Sequence, residues 1–311
     1  MPTYLVGSRA SALARTQVRD FLAPLRGRFP EIAFTQRVIL EGGDRDRTSL
    51  LANVSAVSGG SAFSTEQEAA LLRGDVDVVV HSLKDLPTAN PEGLMLLPPP
   101  GREDVRDALC GSTLAGLPHG ARVGTGAARR IAQLLAVRPD IVPVPIRGNV
   151  PTRLEKLRSM RLDAVVLAVA GLNRLGRQDA IGEPLPLDLF PPSPGQGALG
   201  IQVRVDDRAV RDVLSTVGDR AVDREVRAER SLLAQLHGGC SVPVGACATT
   251  RPDGTLHLFA QVTSLDGRRQ VTGSVTGPAS EPERLGADLA GDLVDRGARA
   301  ILDGIRPAVP A

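Results

Sequence analysis

Short β-branched runs, each leading into a helical stretch, constrain this 311-residue chain more than any other feature. Val76-Asp77-Val78-Val79-Val80-His81 reads as a buried strand, because branched side chains suit a pleated, covered surface. Tyr4 to Gly7 is a short strand, and a helix from Ser11 to about Leu25 follows with Ala, Leu and Val on one face. Ala121 to Thr125 precedes a helix over Ala128 to Val137. Ile141 to Ile146 leads to a helix opened by Pro151, a position where proline loses no helical hydrogen bond. Ala164 to Val169 is a further buried strand. Strands alternating with helices predict parallel α/β sheets.

The last third is written differently. Leu256 to Val262 and Gln270 to Val275 alternate polar and apolar residues around an Asp266-Gly267 hairpin turn. Ser280-Glu281-Pro282-Glu283 has the form of a capping box, and the helix it opens is expected to stop near Gly297. This end reads as a small α+β domain. The proline runs Pro98-Pro99-Pro100-Gly101 and Pro191-Pro192-Ser193-Pro194-Gly195 are candidate hinges around a middle α/β domain. The strand Leu199 to Val203 lies beyond the second run, so the chain is expected to return to the first domain. The expected division is 1–98 with 198–216, then 99–194, then 219–311.

Several function classes drop out. Aromatics make up 2% of the chain, with no Trp, too few for a base-stacking nucleic-acid platform. The net charge is +2, so no whole-protein field points to a polyanion. Neither GxxxxGK[ST] nor a strand-linked GxGxxG is present, which disfavours nucleotides. Cys110, Cys240 and Cys247 form no CxxC pair or disulfide framework, as expected in a reducing compartment. The N-terminus lacks an apolar signal core, and no stretch is suited to span a bilayer. A soluble cytoplasmic protein, without nucleic-acid or membrane partners, is expected.

The chemistry falls at strand ends, where open α/β sheets bind ligands. Arg9 follows the first strand, and Lys84-Asp85 follow Val76 to His81. Thr125, Arg129 and Arg130 follow Val123, Arg147 follows Ile146, and Arg153 lies in the next helix. Gly171 and Arg174 follow Val169. One arginine after a strand is ordinarily a surface charge. Repetition at one topological position predicts a cationic cleft for an extended ligand with several carboxylates or phosphates, helped by helix N-termini. Asp85 beside Lys84 is either an ion-pair partner or a carboxylate that stabilises a developing cation. Cys240, in Gly238-Gly239-Cys240-Ser241-Val242-Pro243, sits on a constrained turn that a large group could approach. Cys110 and Cys247 read as small buried hydrophobes. The four histidines, His81, His119, His237 and His257, lack metal-ligand spacing, so no metal is expected.

These residues also carry a resemblance. Gly7-Ser8-Arg9-Ala10-Ser11, His81 to Pro87, Arg102-Glu103-Asp104-Val105-Arg106-Asp107 and Val123-Gly124-Thr125 with Arg129-Arg130 form its first part. Arg147-Gly148-Asn149-Val150, Leu167 to Leu172, Gly195-Gln196-Gly197-Ala198, Glu229-Arg230 and Gly238-Gly239-Cys240 extend it nearly to the end. In this order the chain resembles the hydroxymethylbilane synthase (porphobilinogen deaminase) family. The resemblance implies two periplasmic-binding-protein-like α/β domains around a cleft, plus a small C-terminal α+β domain. It implies a monomeric transferase of porphyrin and haem biosynthesis that joins four porphobilinogen molecules into hydroxymethylbilane. It further implies a dipyrromethane cofactor, thioether-linked to Cys240. Asp85 matches the carboxylate that binds pyrrole N–H groups and stabilises the cation left when ammonia departs. Lys84, Ser11, Thr125, Arg129, Arg130, Arg153 and Gly171 match cofactor-binding positions. Arg9, Arg147, Arg153, Arg174 and Gln196 match positions that hold substrate or the growing oligopyrrole.

Three departures stand out. Gly126-Ala127 replaces two serines common in the family, and Val105 replaces a usual proline. The loop from Leu51 to Thr65 lacks the usual lysine, with Phe63 at an apolar loop position. Its segment from Val54 to Ser64 is expected to be mobile and to cover the cleft. Two other readings fit these residues: a paralogue making a shorter or modified oligopyrrole, and a non-catalytic two-domain binding protein.

Overall fold

The structure, a computed structural model, describes residues 1–41, 64–236 and 242–305. Strands β1 (Thr3–Ser8), β2 (Ala33–Val38), β3 (Val78–Ser82) and β4 (Leu94–Leu97) open the chain. Next come β5 (Asp107–Cys110), β6 (Arg122–Gly124), β7 (Val142–Val144), β8 (Ala164–Ala168) and β9 (Ile181–Pro184). β10 (Leu199–Arg204) follows, and β11 (Val244–Thr250), β12 (Thr255–Thr263) and β13 (Gln270–Pro278) close the series. The helices are α1 (Ala12–Arg28), α2 (Thr65–Leu72), α3 (Ala128–Val137), α4 (Val150–Ser159) and α5 (Val169–Arg174). They continue as α6 (Arg208–Leu214), α7 (Arg220–Gln235), α8 (Pro282–Asp295) and α9 (Ala298–Asp303).

Among the described residues three sheets form, in orders β2-β1-β3-β10-β4, β7-β6-β8-β5-β9 and β11-β12-β13. The return of the chain after the second proline run is real: β10 lies between β3 and β4. The expectation of parallel sheets needs correction. β10 runs antiparallel to both β3 and β4, and β5 runs antiparallel to both β8 and β9. β5 and β10 are the first strands formed after the chain crosses between the two sheets. Each therefore enters against the direction of the βαβ units already in place, and only those units obey the parallel rule.

Local sequence explains the cleft-facing helices. The Ser11 hydroxyl accepts from the Ala14 N–H at 3.2 Å and caps α1. Val18, Phe21, Leu22 and Leu25 then repeat at helical spacing and are buried against Val6, Val78 and Val80. Asn149 caps α4 by accepting from the Thr152 N–H at 3.0 Å. In the third sheet, α7 and α8 cover one face, with Leu232, Leu258, Val262 and Leu293 fully buried between the layers. α8 starts differently from the capping-box expectation. Its N-cap is Glu281, with no side-chain capping bond. Glu283 is drawn instead to Arg227 at 2.6 Å, a charged partner stronger than a backbone N–H. The helix does end at Gly297, whose φ of +100° suits a residue without Cβ.

α7 is tied to both connections between the first two sheets. Glu229 is fully buried, accepts from the Gly195 and Ala248 N–H groups at 2.7 and 2.8 Å, and pairs with Arg102 at 2.8 Å. Burial raises its pKa against the opposing pull of Arg102. Removing the guanidinium strands that carboxylate, so Arg102→Ala is expected to cost about 3–5 kcal/mol of stability. Denaturant unfolding measures it, and a loss well under 1 kcal/mol would show the pair to be dispensable.

Candidate active site

The C-terminal ends of β1, β3, β6, β7 and β8 open onto a cleft of about 670 Å³ between the first two sheets. Arg9, Ser11, Lys84, Asp85, Arg129, Arg130, Arg147, Arg153, Gly171, Arg174 and Gln196 all line it. Thr125 does not. It is buried behind the wall, where its hydroxyl accepts from the Ala127 N–H at 3.3 Å. Cys240 and Phe63, with most of the Leu51–Thr65 loop, lie outside the described residues.

Charge on the described lining is one-sided. Eight cationic side chains line the cleft: Arg9, Lys84, Arg129, Arg130, Arg147, Arg153, Lys156 and Arg174. Asp85 is the single carboxylate among the described lining residues. It sits on a one-turn 3-10 helix, Leu83–Asp85, that ends β3. Lys84 stays partly reachable along the cleft, yet enclosure by the walls and the nearby Arg130 lower its pKa to about 8, against the opposing pull of Asp85. Enclosure and Arg130 likewise depress Arg153 to about 10. Enclosure also lowers Arg129 and Arg174. Guanidinium groups keep their proton regardless. The depression reflects first the loss of water around these charges and, at Lys84, Arg129 and Arg153, also the neighbouring guanidinium groups; an anionic ligand relieves both.

A buried network sets the floor. Asp107, at the start of β5, accepts from Arg129 at 2.7 Å and from Arg130 at 2.6 Å. Burial would raise its pKa, but Arg129 and Arg130 outweigh that and hold it well below the usual carboxylate range. Gln196 donates to Asp107 at 2.9 Å and accepts from the Lys84 ammonium at 2.9 Å. One amide thus links the turn carrying Asp85 to the arginine pair across the cleft. His81 contacts Gln202 at 3.2 Å, and burial lowers its pKa to about 4, so it is neutral at pH 7 and adds no charge.

Backbone shapes the remaining wall. A Cβ at Gly126 would lie 2.7 Å from the Ile146 carbonyl oxygen. A serine there would push two backbone segments apart, so main chain closes the groove at this point. The first turn of α3, whose N-cap Ala127 makes no side-chain capping bond, faces the same wall, and its N–H groups favour anions.

Sequence reading missed two contributors. Asp107 appeared only as part of a charged run, although an acid opening a buried strand near two arginines is a signal of pairing. Lys156, one helical turn beyond Arg153, was overlooked, and its ammonium donates to the Arg147 carbonyl at 2.9 Å. Among the described residues no His/Cys/Asp/Glu group could hold a metal, and no helix is long and apolar enough to cross a membrane.

The two described cysteines are poor nucleophiles. Cys110 is buried in β5, and that burial pushes its thiol up to about 11. Burial and the nearby Glu229 push Cys247 to about 12. Val242 and Val244, two and four residues beyond Cys240, line the cleft.

Fold and site together define a class: a protein with two α/β sheets around a cationic cleft, built for an elongated polyanion around one carboxylate. Comparison with known proteins narrows it. The family model described as porphobilinogen deaminase, dipyromethane cofactor binding domain, matches residues 4–212, and the model of the porphobilinogen deaminase C-terminal domain matches 224–295. The chain is similar to the porphobilinogen deaminase of Citrifermentans bemidjiense, 48% identical over 96% of this chain and 93% of that one. It is also similar to that of Carboxydothermus hydrogenoformans, 43% identical over 97% of each. Among solved structures, a Salmonella typhimurium periplasmic binding protein of high arginine specificity is 16% identical, covering 71% of this chain and 94% of its own, with a TM-score of 0.40. The chain belongs to the porphobilinogen deaminase family, transferases of tetrapyrrole biosynthesis that carry a dipyrromethane cofactor.

Proposed function

We propose that this chain is a hydroxymethylbilane synthase: it joins four porphobilinogen molecules head to tail, releasing one ammonia per addition, and frees the linear tetrapyrrole by hydrolysis. The observation that carries the proposal is the described lining of the cleft, eight cations around one carboxylate. Each substrate pyrrole brings an acetate and a propionate, which two-point arginine contacts suit well. Loss of ammonia leaves a cation on the substrate methylene. In a cleft this positive, the cation needs a local anion, and Asp85 is the group placed to supply it while accepting from pyrrole N–H groups.

The residues present fit the dipyrromethane cofactor. The cleft encloses about 670 Å³, eight cations line it together with Asp85, and Val242 and Val244, two and four residues beyond Cys240 in sequence, lie on its wall. Cys240 would hold the group by a thioether, while Lys84, Arg129, Arg130, Arg153 and Ser11 would bind and orient it. When bound, it supplies the free pyrrole α-carbon from which the product grows. Arg9, Arg147, Arg174 and Gln196 would hold incoming substrate and earlier units. Thr125 would act through the backbone it braces.

Intact-protein mass spectrometry after incubation with porphobilinogen tests the proposal. A resting mass increased by one dipyrromethane, then steps of one pyrrole up to four, is the expected result. A ladder that stops earlier replaces it with the shorter-product paralogue, and no covalent addition leaves a binding protein.

The lowered Lys84 pKa gives a pH dependence. Carboxylates bind the protonated ammonium better, so deprotonation above about pH 8 weakens the hold of the cofactor-free cleft on a carboxylate-bearing pyrrole. The dissociation constant of porphobilinogen from cofactor-free Cys240→Ser protein is expected to climb between pH 7.5 and about 9.5, by up to roughly tenfold per unit. In Lys84→Arg, which keeps its charge throughout, the climb should vanish. The same climb in both proteins would assign the titration to another group.

A further inference from the structure

The turn that presents Asp85 is held from behind by the C-terminal region of the chain. Upstream it is anchored by β3, with the Leu83 N–H donating to the Ala198 carbonyl at 3.1 Å. Within the turn, Leu86 N–H closes back to the Leu83 carbonyl at 3.1 Å. Downstream, the Arg230 guanidinium gathers three successive carbonyls: Leu86 at 3.4 Å, Pro87 at 2.6 Å and Thr88 at 3.1 Å. These contacts span more than 140 residues of sequence. Leu83 and Leu86 pack with Ala198, Val222 and Val226, so α7 forms the seat of the turn. Leu83 and Leu86 are buried on that seat. Beyond them a surface pocket of about 400 Å³ opens, lined by Leu83, Thr88, Val226 and Arg230 among others. There the turn's downstream carbonyls have no apolar seat, and Arg230 holds them as a strut.

The strut has a firm base. Glu229, its neighbour on α7, is locked to Arg102, Gly195 N–H and Ala248 N–H. α7 ends at Gln235, five residues before Cys240. One helix thus leads to the proposed attachment cysteine and, through Arg230, braces the turn carrying the proposed catalytic carboxylate.

We propose that Arg230 is a positioning residue for Asp85, setting the carboxylate against the reacting pyrrole without touching substrate. The inference rests on the reading of Asp85 as the cation-stabilising group. A misplacement on the order of 1 Å at a reacting group costs about a hundredfold in rate. Arg230→Ala is therefore expected to lower kcat by about 10- to 100-fold, with KM within about twofold of the parent and the covalent cofactor mass unchanged. Lysine keeps the charge but offers one point donor in place of a planar fork. Arg230→Lys should lie between the two, and it serves as the probe if the alanine variant does not fold.

The deciding measurement is a double-mutant cycle with Asp85→Asn on cofactor-loaded protein. If Arg230 acts through Asp85, its loss adds little once Asp85 is gone. A purely structural role would cost the same factor in both backgrounds. Normal kcat in Arg230→Ala, a rise in KM alone, or full additivity with a crippled Asp85→Asn overturns the positioning role by itself. Normal turnover in Asp85→Asn overturns the Asp85 reading, and the positioning role with it.

Discussion

Asp85→Asn is expected to fold normally, keep the cleft's affinity for carboxylates, and lose turnover by about a hundred- to thousandfold. The amide is nearly the same size, so packing around the Leu83–Asp85 turn is preserved. What changes is charge. The described cleft lining carries eight cations and no other carboxylate, so a cation forming on the substrate would face an uncompensated positive field. Removing one preorganised electrostatic contact of this kind costs about 3–4 kcal/mol in the transition state. A second readout follows from the neighbours. Asp85 supports the charged forms of Lys84 and Arg153 against enclosure and Arg130. Without it, Lys84 should titrate below its present value of about 8, so the weakening of porphobilinogen binding to cofactor-free protein should begin at lower pH. Steady-state kinetics report the first effect, and binding to cofactor-free protein across pH 6.5–9.5 reports the second. Turnover within about threefold of the parent in a well-folded variant would reduce Asp85 to an ion-pair partner.

The parts of the site that were legible in sequence share one cause. Arg9, Lys84, Asp85, Arg130 and Arg147 each come within a few residues after a β-branched or apolar run, and the rule that ligands meet strand ends needs only that local order. What was illegible depends on pairings between distant segments. Strand direction is not encoded in hydrophobic periodicity, so β10 and β5 entering antiparallel could not be read from their runs. Asp107 becomes the countercharge of Arg129 and Arg130 only because β5 lies beside β8. Thr125 looked like a cleft residue by position, but its side chain turns to brace the Ala127 N–H. The capping box over Ser280–Glu283 failed for a similar reason: Arg227, from another helix, outcompeted the local backbone. Local patterns predicted where chemistry concentrates. Long-range contacts such as Arg230 to Pro87 decided how it is held.

Cys240→Ser is expected to abolish covalent loading altogether, while Cys110→Ala and Cys247→Ser load normally. A hydroxyl cannot form the thioether, and the other two sulfurs are badly placed to substitute. The thiolate is the nucleophile, and burial pushes Cys110 and Cys247 to about 11 and 12, leaving almost no thiolate at neutral pH. Cys110 is also fully enclosed within the second sheet, where alanine is the safer probe because a buried hydroxyl without a partner costs about 1–3 kcal/mol. Val242 and Val244 at the cleft wall tie the Cys240 segment to the cationic lining through sequence alone. Intact masses of the three variants decide the matter, and the consequence reaches beyond attachment. A Cys240→Ser protein keeps every described cation and Asp85, so it should still bind porphobilinogen reversibly while forming no product. Normal loading in that variant would remove Cys240 from the site. Loading lost in Cys247→Ser instead would move the attachment point to β11, three residues from the cleft-lining end that Val244 marks.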